Sequence, residues 1–196
     1  MKGIKIKVIY PGIDLKQFNY KQNKNPTVLF LSTPFCENQV YARGLDIILS
    51  LAKLNPDINF LIPIRERIKW IKNLEKQKNI LIIEKLIDPK KIFDNIDVTI
   101  APFRGYKKNK PCPNSIIESL AAGKPVLVSK DVGISDIISQ EKCGVVSKLD
   151  IISMDLNLKK IFSDYESYQK KCLPTAKKYF SKEKFLKEYE SIYLGL

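Results

Sequence analysis

Residues 109–129 read NKPCPNSIIESLAAGKPVLVS. Ser115 suits the N-cap of a helix, and Glu118, three residues on, suits the carboxylate that bonds back to the cap in a capping box. Gly123 suits the left-handed residue just past the helix end, and Pro125 blocks further propagation. VLVS then reads as a short, apolar, β-branched strand.

The same alternation runs outward in both directions. TVLFLS (27–32), INFLIPI (58–64), NILII (79–83) and DVTIAP (97–102) are strand candidates upstream, and GVVS (144–147) is one downstream. In RGLDIILSLAKL, Leu45, Ile48, Leu49 and Ala52 follow the i, i+3, i+4, i+7 spacing of an amphipathic helix. Ile68, Ile71 and Leu74 form the apolar side of ERIKWIKNLEKQ. Asp88-Pro89 reads as an N-cap with proline at the first helical position, opening PKKIFDNI. SDIISQEKC (135–143) is a further helix, and the tail from about residue 155 is helical in pattern, with Pro174 marking one break. The strands are continuous apolar runs, which argues for a parallel sheet covered on both faces. The expected fold is α/β: a Rossmann-like, doubly wound parallel sheet in a single domain, 1–196, with a helical tail over about 155–196.

Composition narrows the function classes. The 196 residues, 44% of them hydrophobic, suffice for one well-filled core. A net charge of +13 raises nucleic-acid binding. The lysines are scattered on helix faces beside glutamates, as in SKEKFLKEYES, with no aromatic-plus-basic cluster, so a solvated surface is expected and no nucleic acid. Cys36, Cys112, Cys143 and Cys172 have no CxxC spacing and the chain has no histidine, so zinc lacks its usual ligands and histidine catalysis is excluded. Widely spaced cysteines without a secretion signal point to reduced thiols and a cytoplasmic location. No apolar run approaches the ~20 residues of a membrane span; contact with a membrane surface stays open.

A sheet of this kind binds ligands outside the carboxyl ends of its strands. The loops to search are therefore 32–43, 104–114 and 131–135. Arg43-Gly44 is expected to open the first helix, where a guanidinium beside free N–H groups makes an anion site. A surface cation explains Arg43 as well, but a cation at a helix N-terminus opposes the macrodipole, which hints at an anion held between them. RGYKKNKPCPN (104–114) gathers four cations ahead of the N–H groups of Ser115, Ile116 and Ile117. Phosphate binding and a solvated basic loop suit it equally. Gly133, in VGIS, brings a glycine to the end of the next strand, where backbone can approach a ligand. GxGxxG, GxxxxGK[ST] and an Asp-x-Asp pair are all missing, so no metal and no cofactor is expected, and a diphosphate would be held by cations and helix ends.

Five segments in order resemble a known family. VIYPGIDLKQF (8–18) is similar to the "nGvD…F" segment that links the two domains of retaining nucleotide-sugar glycosyltransferases of the glycogen-synthase-like, glycosyl transferases group 1 superfamily. ARGLDIILSLAKL (42–54) resembles their "KGxDxLLxA", DNIDVTIAPF (94–103) their "ADVxVxPS", and PNSIIESLAAGKPVLVSKDVGISDII (113–138) their "PNxLLEAMAxGxPVVASxxGGxxEII". KKYFSKEKFLKEYESIY (177–193) resembles the closing helices. The likeness is colinear from about residue 7 to 193 and covers the C-terminal, donor-binding half of a GT-B fold. The N-terminal acceptor domain is expected to be missing from this sequence, either cut away from a longer chain or supplied by a separate gene as a partner subunit.

The resemblance implies roles for particular residues. Glu118 corresponds to the second carboxylate of the family's E-x7-E motif and would bond the ribose hydroxyls. Arg43 would neutralise the donor diphosphate. Asn114, Ser115 and Ile116 fall where backbone groups meet the donor, Gly133 matches the glycine of the following loop, and Leu86 falls where the base is framed. Lys110 replaces the first motif glutamate, which contacts the transferred sugar, and Ser32-Thr33 replaces the family's "GR". A lysine there suits an acidic sugar; a changed loop conformation explains it equally. The implied activity is hexosyl transfer from a UDP-, GDP- or ADP-linked sugar to a glycan or lipid-linked saccharide, with little turnover by this half alone. A non-catalytic module associated with a partner subunit is the alternative that Lys110 and the missing arginine motivate. An exposed apolar patch is expected where the other half would sit, on the opening strand and last helix.

Overall fold

The apolar runs become six strands: β1 (Thr27–Leu29), β2 (Asn59–Pro63), β3 (Ile80–Ile83), β4 (Val98–Ala101), β5 (Val126–Ser129) and β6 (Gly144–Ser147). The structure is a computed structural model and describes residues 6–15, 26–32, 34–64, 69–84, 89–105, 107 and 109–194. The strands pair in parallel in the order β3-β2-β1-β4-β5-β6, the α/β architecture the sequence predicts. The order reverses between β1 and β4, which opens a crevice at their carboxyl ends.

Alternate residues of a strand leave on opposite faces, and here both faces are dry. Val28 and Phe30 pack with Leu45, Ile48 and Leu51 of α2 (Leu45–Leu54), whereas Leu29 packs with Ile92 and Phe93 of α4 (Pro89–Phe93). Leu127 joins the first cluster, while Val126 and Val128 meet α5 (Asn114–Ala121) and α6 (Ser135–Glu141). Burial on both sides explains why the strands read as unbroken apolar runs.

Three helices follow β6. α7 (Ile151–Ser163) inserts Met154, Leu158 and Ile161 under the first face, and α8 (Tyr165–Phe180) inserts Cys172, Ala176 and Phe180 under the second. α9 (Lys182–Tyr193) buries no residue. Pro174 does not break the tail: it lies inside α8, and the breaks fall at Asp164 and Ser181. The proline is exposed, and burial of Cys172, Thr175, Ala176 and Phe180 beside it carries the helix through the lost N–H bond. The helix expected over ERIKWIKNLEKQ is described only as α3 (Ile71–Leu74), residues 65–68 lying outside the described residues.

Among the described residues, the opening segment carries one isolated bridge, Ile13 to Ser181. Ile13 N–H donates to the Phe180 carbonyl at 2.8 Å and Lys182 N–H to the Ile13 carbonyl at 3.0 Å, seating the segment on the α8–α9 junction. Ile6 and Val8 are exposed there, as are Leu186, Tyr189, Ile192 and Tyr193 of α9. Among the described residues, no helix is long and apolar enough to cross a membrane.

Candidate functional site

Helix α5 opens the crevice side of β4, and its start differs from the expected capping box. Pro113 is the N-cap, extended at φ −69° and ψ 128°, with no side-chain cap bond. Ser115 is buried inside the first turn, and Glu118 lies in the second turn, out of reach of a capping role. Proline's fixed φ already supplies the turn-in geometry, so no capping side chain is needed. The N–H groups of Ile116 and Ile117 turn back to the Pro113 carbonyl at 3.1 and 3.4 Å. The leading donors of the helix are thus Asn114 and Ser115, not Ile116 and Ile117. The other end follows the sequence reading. Gly123 is left-handed at φ 68°, its N–H donates to Leu120 at 3.0 Å, and Lys124 N–H donates to Ser119 at 2.8 Å, a Schellman closure.

Released from capping, Glu118 is half-buried, and burial raises its carboxyl above the usual range. Among the described residues no donor reaches that carboxylate, and a partly desolvated carboxylate so placed is an acceptor in want of hydroxyl or N–H groups.

Arg43 does not open a helix. It ends the short α1 (Val40–Arg43), and Gly44, left-handed at φ 75°, separates α1 from α2. The macrodipole hint falls with that placement, since a cation in a last turn is favourable. The Arg43 guanidinium carbon lies 5.2 Å from the Phe35 ring centroid. Gly44 is required by space as well as by φ: a Cβ there would stand 2.2 Å from the Pro102 carbonyl oxygen.

The loop after β4 is tied to both neighbours. Arg104, one of the four loop cations, faces inward. Its Nη1 and Nη2 donate to the two Asp46 carboxylate oxygens at 2.7 and 2.8 Å, Nη1 also donates to the Tyr41 carbonyl at 2.6 Å, and its carbon lies 3.7 Å from the Tyr41 ring centroid. Asn109 Nδ2 donates to the carbonyls of Ala42 and Gly105 at 3.0 and 2.9 Å. Gly105 N–H donates to the Asp131 carboxylate at 2.7 Å, and Ser129 Oγ to the Phe103 carbonyl at 2.7 Å. Gly133 N–H donates to the Pro111 carbonyl at 2.7 Å, and a Cβ on Gly133 would stand 2.8 Å from that oxygen. The close approach foreseen for Gly133 is therefore made to Pro111 backbone. Burial pushes the Cys112 thiol up to about 12, so it stays protonated.

These bonds gather the loops after β1, β4 and β5 on one edge of the sheet. They hold Arg43, Lys110, Asn114, Ser115, Ile116, Glu118 and Gly133 on three adjoining segments, with Lys110 exposed. Leu86 and Thr33 lie outside the described residues. Asp46, Asn109 and Asp131 escaped the sequence reading of the site. Asp46 stands in the quoted ARGLD segment and its charge was a usable signal; nothing local marks Asn109. Among the described residues, no group of three or more His, Cys, Asp or Glu is placed to hold a metal.

Comparison with known proteins places this edge in context. Residues 21–178 match the family described as glycosyl transferases group 1. Sucrose-phosphate synthase from Thermosynechococcus elongatus superposes with a TM-score of 0.80 at 16% identity, over 96% of this chain and 52% of that one. A glycosyltransferase from Rickettsia africae superposes with a TM-score of 0.77 at 19% identity, over 96% of this chain and 56% of that one. HepE of Anabaena, solved in complex with UDP-glucose, superposes with a TM-score of 0.76 at 16% identity, over 97% of this chain and 57% of that one. The chain thus spans about half the length of each of these structures. No curated protein matches the sequence.

Proposed function

The chain belongs to the glycosyl transferases group 1 family, and from that premise we propose that it is the donor-binding domain of a retaining glycosyltransferase, taking a hexose from a nucleotide diphosphate sugar. The observation that carries this reading is the tied trio of loops at the β1–β4 switch point, with Arg43 on one and the α5 N-terminus and Glu118 on the next. Arg43 and the first N–H groups of α5 oppose the diphosphate charge, which grows as the bond to the sugar breaks. Glu118 accepts from the ribose hydroxyls, which offset the cost of its burial. Gly133 closes the edge beside Pro111, and Lys110 stands at the sugar end. Acceptor attack comes on the face the diphosphate leaves, the departing phosphate taking the acceptor proton, so no protein nucleophile is needed. HepE was solved with UDP-glucose, which supports trying uridine first.

The acceptor is expected to bind between this domain and a second one supplied by the rest of a longer chain or by another subunit. The exposed apolar residues of the opening segment and α9 suit that contact. Calorimetric titration with UDP, GDP and ADP, on the chain and on Glu118→Ala and Arg43→Ala, tests the reading. Saturable binding of one nucleotide, weakened in both variants, is the expected result. A folded chain that binds none would leave a non-catalytic module as the better description.

A further inference from the structure

Arg104 stands in a basic loop beside the proposed diphosphate site, yet its guanidinium is engaged elsewhere. We infer that Arg104 is a positioning residue, which sets the backbone at Arg43 and does not itself meet the donor. This rests on the donor-site reading for its functional meaning, but its geometry stands on the structure alone.

Helix α1 has only four residues, too few to hold itself together; the Gly44 N–H reaches back to the Tyr41 and Val40 carbonyls, and the last carbonyls take further donors from outside. Arg104 and its loop supply them. The Arg104 guanidinium takes the Tyr41 carbonyl, the Arg104 N–H takes the Ala42 carbonyl at 2.8 Å, and Asn109 takes Ala42 again. On the other side of Arg43, Gly44 lies against Pro102, and Asp46 in the first turn of α2 receives both prongs of Arg104. Arg43 is therefore bracketed: residues 41, 42, 44 and 46 all touch the 102–109 segment. Planar, two-pronged pairing fixes direction as well as distance, so lysine at 104 cannot replace it. Asp46 also neutralises Arg104, so its charge is answered within the protein.

The test is a double-variant cycle with nucleotide affinity as readout. Arg104→Gln is expected to weaken binding of whichever of UDP, GDP or ADP the chain takes by about tenfold. In an Arg43→Gln background the same change is expected to cost less than about twofold, because the group it positions is gone. An equal loss in both backgrounds would place Arg104 on the ligand itself and overturn the inference, as would no loss in either. Asp46→Asn, which keeps the Tyr41 bond but removes the charge pair, repeats the cycle should Arg104→Gln not fold. Amide exchange without nucleotide separates this inference from the donor reading. Faster exchange over 41–46 in either variant, with the α8 amides unchanged, supports the bracket even if no nucleotide binds; unchanged exchange over 41–46 overturns it.

Discussion

The two edges of the sheet both use side chains to hold backbone, and they differ in the charged groups left over. At the amino edge the charged groups are enclosed in the fold. Lys124 is fully buried, facing the charges of Asp97 and Asp94, and Asp97 accepts from Thr27 N–H at 2.9 Å. Tyr165 donates to the Asp97 carbonyl at 3.1 Å, tying α8 to the start of β4. Asn79 Nδ2 donates to the carbonyls of Ala52, Asn55 and Ile58 within 3.0 Å, closing the end of α2. At the carboxyl edge, Arg104 pairs with Asp46, and Arg104, Asn109 and Asp131 hold loop backbone, while among the described residues no donor reaches the Glu118 carboxylate and Lys110 is exposed. Enclosed charges and bonds to backbone at the amino edge hold strands in register. The same kind of bonding at the carboxyl edge leaves a half-buried carboxylate and an exposed cation over, and these can bind something.

The contrast can be tested at both edges. The largest effect is expected from Gly44→Ala, which forces a Cβ to within 2.2 Å of the Pro102 oxygen at a φ of 75°. We expect a loss of about 3 kcal/mol, seen as a lower urea midpoint. An unshifted midpoint would mean that the loops yield easily and the carboxyl edge is not built around this contact.

Next is Lys124→Met, which leaves the Asp97 and Asp94 charges without their buried cation. It should change stability near neutrality by up to about 2 kcal/mol in the variant's favour, because burial opposes the ammonium more than the two carboxylates hold it. Burial holds the Lys124 ammonium below its ordinary 10.5, so the folded chain gives up that proton before the unfolded one does. The charged form is therefore a burden on the fold below the lowered value, and it is relieved as pH rises toward 10.5. Stability of the parent relative to the variant should climb across that window. A flat difference would remove Lys124 from the account.

At the carboxyl edge, Glu118→Gln should lower nucleotide affinity about tenfold without lowering stability near neutrality. The raised carboxyl means that its ionised form costs the fold above that value, and the cost disappears as pH falls through it toward 4.5. The parent should thus gain on the variant as pH drops. A variant that loses stability at neutral pH instead would give Glu118 a structural role like those of the amino edge.

The smallest effect is expected at a site belonging to neither edge. Glu141 of α6 accepts from Lys178 at 2.7 Å and Tyr179 at 2.8 Å on α8, and these bonds hold its carboxyl below the ordinary 4.5. Its contribution is present above 4.5 and fades as pH falls through the lowered value. Glu141→Gln should lower the Tm slightly near neutrality and not at all in strong acid. An equal shift at both extremes would show that packing, and not charge, is what the substitution disturbs.

The strands were legible because burial on both faces leaves a plain signature, and GVVS is β6 to the residue. Gly123 and Pro125 were equally clear, since backbone stereochemistry is written in single residue types. The helix starts were not. Ser115 and Glu118 satisfy the capping-box spacing, yet Pro113 alone sets the turn, and Arg43, expected to open a helix, ends the short α1, with Gly44 setting α2 apart from it. Pro174 failed as a breaker because packing on the far side of α8 outweighs local propensity. At the site, the sequence brought forward Arg43, Glu118 and Gly133 through family likeness, whereas spacing alone left each with an ordinary explanation.

By itself, then, the sequence determined the order of strands and helices, the dry faces of the sheet and the segments that follow each strand, because these depend on local periodicity and residue stereochemistry. Only the tertiary structure decided which cations face outward. Arg104 and Lys110 are six residues apart in one basic loop, yet one is closed on Asp46, 58 residues away, and the other is exposed. Pairing at that distance depends on where the sheet sets its loops, and no local pattern carries it.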